Sequence, residues 1–360
     1  MKAVSELRRA FAERADGVSP AGMPFVGLFG DGIPYPLVQA AGAFGIDVKA
    51  PPLADSVDGP KVAIIDEVAE SFLDDFTARF LHRFAAGAFD HFAMIIFARD
   101  DVAGLAAYQY ASELRRQKLV TDTGPVLHLW NLLHTDSAAA HRFNMRELDR
   151  LGDALAGLSL TWDEKRLSRI LALEVDRRAA LDRLTCCGAD QFIFRAAGRW
   201  LAPEEHTAAL DAVGDGSAVA GERRIGLVGN ASDTPCLREI CSEFGALAAD
   251  LQPFGDIWSY HTDGVDDAES LVRAIATNPL HIRTSPADRF GSALLDRLKG
   301  CDVVISTVDR NDDSFGWEVP CLRQNVTKRG AQFIDLGFMP FRPSDSWMSA
   351  TRKLLAETIQ

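Results

Sequence analysis

A chain of 360 residues with 47% apolar content is long enough for two domains, or for one large α/β body with a helical insert, and apolar enough to give each a core. Its formal net charge of −13 argues against broad nucleic-acid binding, which needs a concentrated positive face. No apolar run approaches the roughly 18 residues of a membrane-spanning helix. The first residues, with Glu6, Arg8, Arg9 and Glu13, have helical character and lack the apolar stretch of a secretory signal, so a cytoplasmic protein is expected.

In chain order, residues 24–30 (PFVGLFG) read as a short buried strand. A turn and a helix over 36–43 follow, with Pro36 in the first helical turn and Gly42 or Gly45 as its end, and then a second strand. The apolar run 62–65 is another buried-strand candidate. Val68, Phe72, Phe76, Phe80 and Phe84 recur every four residues among charges, the pattern of an amphipathic helix. Residues 93–98 (AMIIFA) read as a third strand, ending at Arg99-Asp100-Asp101. From about 104 to 213 helical signals dominate, with Thr161 and Glu164 spaced as a helix start. Gly214-Asp215-Gly216-Ser217 then punctuates the chain as a domain boundary.

Alternation resumes with a strand at 224–229 (RIGLVG), a helix at 236–244 closed by Gly245, and a strand-like segment at 246–249. Helices over 266–277 and 290–298, a strand at 301–307, a helix at 319–329 and a last strand at 332–336 complete the pattern. The expected fold is α/β and Rossmann-like: two small doubly wound parallel-sheet lobes bridged by a helical segment. The expected boundaries are 1–150, 151–221 and 222–345.

In such sheets ligands bind beyond the carboxyl ends of strands, which singles out residues 30–35, 99–101, 229–234 and 309–317. Gly229-Asn230-Ala231-Ser232 reads as a tight turn with Ser232 or Asp233 as helix cap, or as a cradle of backbone N–H groups for an anion. It does not spell a dinucleotide fingerprint or a P-loop. Arg99-Asp100-Asp101 places three charges directly after a strand, as solvated loop charges or as site groups. The acidic run 309–313 lacks the spacing and terminal Glu of a calcium loop. Cys186, Cys187, Cys236, Cys241, Cys301 and Cys321 match no usual metal spacing and read as core packing rather than a disulfide framework. His128 and His134 read as a buried hydrogen-bonded pair, and no serine sits in a nucleophile elbow. The candidate binding residues are therefore Asp31, Tyr35, Arg99, Asp100, Asn230 and Ser232, with no catalytic residue or metal ligand assigned.

Three segments of the first half stand out by their order: GIPYPLVQAAGAFGIDV (32–48), the strand, loop and helix of 92–119 with a tyrosine-bearing helix ending in paired arginines, and the helical stretch 125–181. IGLVGN, residues 266–280 and WEVPCLRQNVTKRGAQFIDL (317–336) follow in the second half. In order and spacing they resemble the 2-hydroxyacyl-CoA dehydratase/benzoyl-CoA reductase family over nearly the whole chain. The W-E-x-P segment at 317–320 is most similar to the benzoyl-CoA-reductase branch.

The resemblance implies heterodimers of two related subunits, four-iron–four-sulfur clusters, an ATP-dependent activator protein that donates single electrons, and an acyl-CoA converted through a ketyl radical. The family's cluster cysteines correspond here to stretches 66–71, 99–101 and 250–252, none of which contains a cysteine. Carboxylate, guanidinium and apolar groups do not replace thiolates around such a cluster. The resemblance thus implies a subunit that does not hold the cluster alone and pairs with a related, cluster-bearing chain. The alternatives are a non-catalytic acyl-CoA-binding or regulatory protein, or a cluster-independent enzyme reusing the cleft. Arg115, Arg116 and Lys118 are the clustered cations that would serve CoA, or else form a solvated helix end.

Overall fold

The computed structural model describes residues 2–17, 22–55, 59–99, 101–184, 189–213, 223–229, 233–311 and 314–359. The first part of the chain comprises α1 (Lys2–Glu13), β1 (Phe25–Phe29), α2 (Tyr35–Ala40), β2 (Phe44–Asp47), α3 (Ala63–Val68), α4 (Asp75–Ala85), β3 (Met94–Ala98), α5 (Val102–Arg116) and β4 (Val126–Trp130). A helical stretch follows: α6 (Ala138–Ala156), α7 (Glu164–Arg183), α8 (Ala189–Ala197) and α9 (Pro203–Val213). The last part holds β5 (Arg224–Gly229), α10 (Cys236–Ser242), β6 (Ala246–Leu251), α11 (Ala268–Ala276), α12 (Asp288–Arg297), β7 (Val303–Val308), α13 (Val319–Lys328), β8 (Gln332–Phe338) and α14 (Asp345–Thr358).

The strands form two all-parallel sheets of identical layout, β2-β1-β3-β4 and β6-β5-β7-β8. The expected α/β architecture of two parallel-sheet lobes is the observed one. Both faces of the first sheet are buried, as parallel crossovers demand. Phe25, Phe29, Ile95 and Phe97 pack to one side with α1, α4 and α5. Val26, Leu28, Met94 and Ile96 pack to the other with α2, α6 and α7. The second sheet divides the same way between α12 and α13 on one face and α10 and α14 on the other. Helix α11, though late in the chain, contributes Leu271, Val272 and Ile275 to the core of the first lobe.

Each lobe changes strand direction of travel beside its first strand, and there each needs glycine. Gly30 (φ 98°) follows β1, where a Cβ would lie 2.9 Å from the Asp101 carboxylate. Gly229 (φ 125°) ends β5, where a Cβ would lie 1.7 Å from the Thr307 carbonyl oxygen. Any side chain at 229 would force β5 and β7 apart at their carboxyl ends.

Several expected elements differ. The 62–65 run is the start of α3, not a strand: with only Ile65 buried it shows one apolar face, which a four-residue apolar run cannot signal in advance. The four-residue apolar period from Val68 to Phe84 is not one helix. Asp74 accepts from the Thr77 N–H at 2.9 Å and starts α4 there, leaving Phe72 66% exposed. Strand β4 lies inside the stretch read as helical. Its short VLHLW run borders the sheet edge, where Val126 is exposed and only Trp130 is buried. Asp163, not Thr161, caps α7 by accepting from Arg166 N–H at 2.8 Å. The glycine-rich boundary at 214–217 lies outside the described residues, as do Cys186 and Cys187. Among the described residues no helix is long and apolar enough to cross a membrane.

A largely buried ion triad helps to tie the lobes. Arg14, just past α1 and itself in a left-handed conformation (φ 52°), pairs with Asp233 beyond β5. The same guanidinium donates to the Pro51 carbonyl at 2.6 Å and to the Asp233 carbonyl at 2.7 Å. Arg342, after β8, donates to the other Asp233 oxygen at 2.6 Å. Burial alone would raise the pKa of Asp233, but Arg14 and then Arg342 outweigh it and hold the carboxyl below its ordinary range. Its stabilisation is therefore complete above the unfolded carboxylate pKa of about 3.9 and is lost as pH falls through the lower folded value. Asp233→Ala, which strands two buried guanidinium groups, is expected to destabilise the chain by about 3–5 kcal/mol in urea unfolding at pH 7.

Candidate ligand cleft

The carboxyl ends of both sheets converge on a single cleft of about 320 Å³. Asp31 and Gly32 enter it after β1, Lys49 after β2, Asp101 after β3, Gly229 from β5, Phe254 after β6, and Asp309 and Asn311 after β7. Phe72, Phe76, Ile257, Trp258, Phe290 and Phe315 provide its apolar walls. The lobes touch across it. Asn311 Nδ2 donates to the Leu73 carbonyl at 2.9 Å, and Phe76 packs against both Phe254 and Phe341, at 6.4 and 4.9 Å between ring centroids.

Two charged groups form the floor. Lys49 Nζ lies 2.5 Å from an Asp101 oxygen and 5.5 Å from the Phe76 ring centroid. Asp101 is held because its other oxygen caps α5, accepting from Ala103 N–H at 3.0 Å. Burial would lower the Lys49 pKa, but Asp101, with Asp74 and Asp31 behind it, outweighs burial and raises it, so the ammonium stays charged. Arg199, from the loop after α8, donates to Asp47 at 2.9 Å and Asp31 at 3.0 Å, and lies over the Phe254 ring at 4.4 Å. Of its two carboxylates, Asp47 has its pKa raised by burial despite Arg199. For Asp31, Arg199 and Lys49 outweigh burial and lower it.

The candidates read from the sequence fare unevenly. Asp31 lies in the cleft. Tyr35 lines a smaller adjoining chamber, its hydroxyl accepting from Gln39 Nε2 at 2.5 Å. Arg99 is exposed and lines neither space; the charge of that run which reaches the cleft is Asp101. Asp100, Asn230 and Ser232 lie outside the described residues. Arg115, Arg116 and Lys118 do not line the cleft. Helix α5 runs 15 residues, about 22 Å, away from the strand ends, and Arg115 donates to the Pro125 carbonyl just before β4. The cations that do line it are Lys49, Arg199 and Arg283. Lys49 follows the expected second strand, whose end is not among the four singled out, and Arg199 follows a helix, so no local signal marks either.

Asp309, at the head of the acidic run, is buried in the cleft wall and accepts from Asn311 N–H at 2.7 Å. One other expectation changes. His128 and His134 do not bond each other. His134 meets the Ala276 carbonyl at 3.0 Å and stacks on His281 at 3.9 Å between ring centroids. His128 sits alone on β4 with its pKa pushed down to about 4 by burial, with Arg150 adding to it.

Fit to an iron–sulfur cluster fails on donor chemistry. None of the four described cysteines lines the cleft. Cys241 is buried between β5 and α14, and Cys301 lies at the opposite, amino end of β7. Where thiolates would be expected after β6, Gln252 instead donates to the Val228 carbonyl at 3.2 Å and to Thr307 Oγ1 at 2.7 Å. Among the described residues no three His, Cys, Asp or Glu side chains converge as a metal site. The chain matches no family model, and no curated protein matches it in sequence.

Arg199→Met is expected to destabilise the chain by about 1–3 kcal/mol, since it leaves the buried Asp47 without its ion partner, while the half-exposed Asp31 keeps Lys49 nearby. Adding Asp47→Asn should recover part of that loss. Urea midpoints of the two single variants and the double variant measure it.

Proposed function

We propose that this chain is a subunit of a heteromeric 2-hydroxyacyl-CoA dehydratase or benzoyl-CoA-reductase-like complex. It pairs with a related cluster-bearing chain in the cytoplasm and contributes part of the acyl-CoA cleft. The observation that supports this most is the convergence of both lobes' strand ends on one cleft that combines an aromatic wall with charged lysine and arginine. An acyl-CoA carries both an apolar acyl group and anionic phosphates, and such a cleft offers complementary surfaces to each. The resemblance in segment order between residues 32 and 336 points the same way.

Under this reading the electron-delivering cluster and the site for the ATP-dependent activator belong to the partner. This chain's own part is to bind and to exclude water. Lys49 supplies a fixed positive charge beside the Phe76 ring, Trp258 adds apolar wall, and Arg199 keeps the β1 and β2 ends together.

Titration calorimetry of the purified chain with CoA tests the cleft, and recovery of the tagged chain from its native host under oxygen-free conditions tests the partnership. CoA binding is expected, with Lys49→Ala weakening it about tenfold, because the change removes an attraction and leaves Asp101 and Asp74 to repel phosphate. An iron-containing related chain is expected to co-purify. A folded chain that neither binds CoA nor brings down such a partner overturns the reading.

A further inference from the structure

Behind Asp31 and Arg199, and sharing Trp258 and Ser259 with the cleft wall, lies a separate chamber of about 140 Å³. Helix α7 lines it with Glu174, Arg177 and Arg178, the start of α2 with Tyr35, and the segment after β6 with Tyr260. These residues come from both lobes and the bridge, yet their hydrogen bonding is incomplete.

Tyr260 is 5% exposed, and its buried hydroxyl has the Arg178 guanidinium beside it but no acceptor for its own proton among the described residues. Burial raises its pKa, so the phenol stays a donor. Glu174 is 1% exposed. One of its oxygens accepts from Arg177 at 2.5 Å, and the other is buried without a partner. Arg178 lies between two aromatic rings, 4.5 Å from the Trp258 centroid and 4.5 Å from the Tyr260 centroid. It donates to the Tyr260 carbonyl at 2.7 Å, but among the described residues no carboxylate forms a direct ion pair with it, Glu174 and Asp182 acting on it from farther off, and its Nε is buried without a partner. Buried polar groups left unpaired are costly, and a half-buried cation without a direct ion partner adds to that cost.

The open valences define what would fill the chamber. Arg178 calls for an anion, Tyr260 donates to an oxygen, and Glu174 accepts from a hydroxyl. Water alone supplies the hydrogen bonds but leaves Arg178 without a direct ion partner, and the volume admits only a few heavy atoms. Three complementary requirements in so small a space converge on one kind of molecule. We propose that the chamber is a binding site for a short hydroxycarboxylate with a free carboxylate. The carboxylate faces Arg178 and Tyr260, and the hydroxyl donates to Glu174. This site stands independently of whether the adjoining cleft binds CoA.

Titration calorimetry of the whole chain with lactate, propionate and 1,2-propanediol tests it. Propionate lacks the hydroxyl and propanediol lacks the carboxylate. Lactate is expected to bind at least tenfold more tightly than either, and to raise the melting temperature where they do not. Tyr260→Phe keeps the ring that stacks on Arg178 and is expected to weaken lactate binding about tenfold. Arg178→Met is expected to abolish the preference for lactate over propanediol. The proposal falls if the folded wild-type chain binds the three compounds alike or none of them, a result that needs no variant to fold. It falls equally if Tyr260→Phe binds lactate as tightly as the wild type.

Discussion

Two sheets of four strands face one another across a buried carboxylate, Asp233, that both parts of the chain share. Its two oxygens are divided between Arg14, carried by the N-terminal segment, and Arg342, carried by the chain after β8. Arg14 also binds the Pro51 carbonyl of the first lobe, so a single carboxylate links the beginning, middle and end of the sequence. A buried carboxylate between two guanidinium groups is favourable only when its remaining lone pairs and their remaining donors are satisfied. Here Arg14 reaches two carbonyls besides the carboxylate, and the Arg14 guanidinium lies over Phe11 and Trp200 at 5.0 and 5.2 Å.

With the lobes fixed in that relation, their carboxyl ends cannot avoid each other, and the cleft follows from topology. Parallel strands end with every unpaired N–H and C=O on one edge, where helix starts and loop side chains gather. Two such edges opposed give a concave, mixed surface. Its electrostatics are largely internally matched: Lys49 by Asp101, and Arg199 by Asp31 and Asp47. That explains how a chain of net charge −13 keeps cations at its centre without a positive field at its surface.

The sheet-forming half of this arrangement was legible in the sequence and the site was not, for a physical reason. Buried parallel strands are continuous apolar runs, so residues 24–30, 93–98 and 224–229 announce β1, β3 and β5 with boundaries within a residue or so. Glycine at 30 and 229 marks the strand ends as well. Edge strand β4 carries an exposed Val126 and a central His128, and its signal sinks into the helices around it. Site residues are set by which strand ends meet in space. Lys49, Arg199 and Trp258 are each ordinary in their local segments, and acquire significance only through the crossing of the chain between lobes. The chamber residues show the same effect. Glu174, Arg177 and Arg178 lie in a stretch that reads simply as helical, yet Glu174 is buried and Arg178 is clamped between rings.

The same embedding bears on the donor chemistry of the cleft, which the exchange of a few side chains would not turn into a thiolate site. Gln252 joins the ends of β5 and β7 through Val228 and Thr307. Asp101 caps α5 and pairs with Lys49. Asp250 forms a buried pair with Arg238, whose guanidinium in turn lies 3.9 Å from the Phe192 ring centroid of the bridge. Each group at the strand ends performs at least two structural tasks, so placing cysteine at any one of them would remove a cap or a buried ion partner before it added a ligand. The polar lining is therefore a settled arrangement in its own right. What it binds has to be sought in the chemistry of oxygen, nitrogen and aromatic groups.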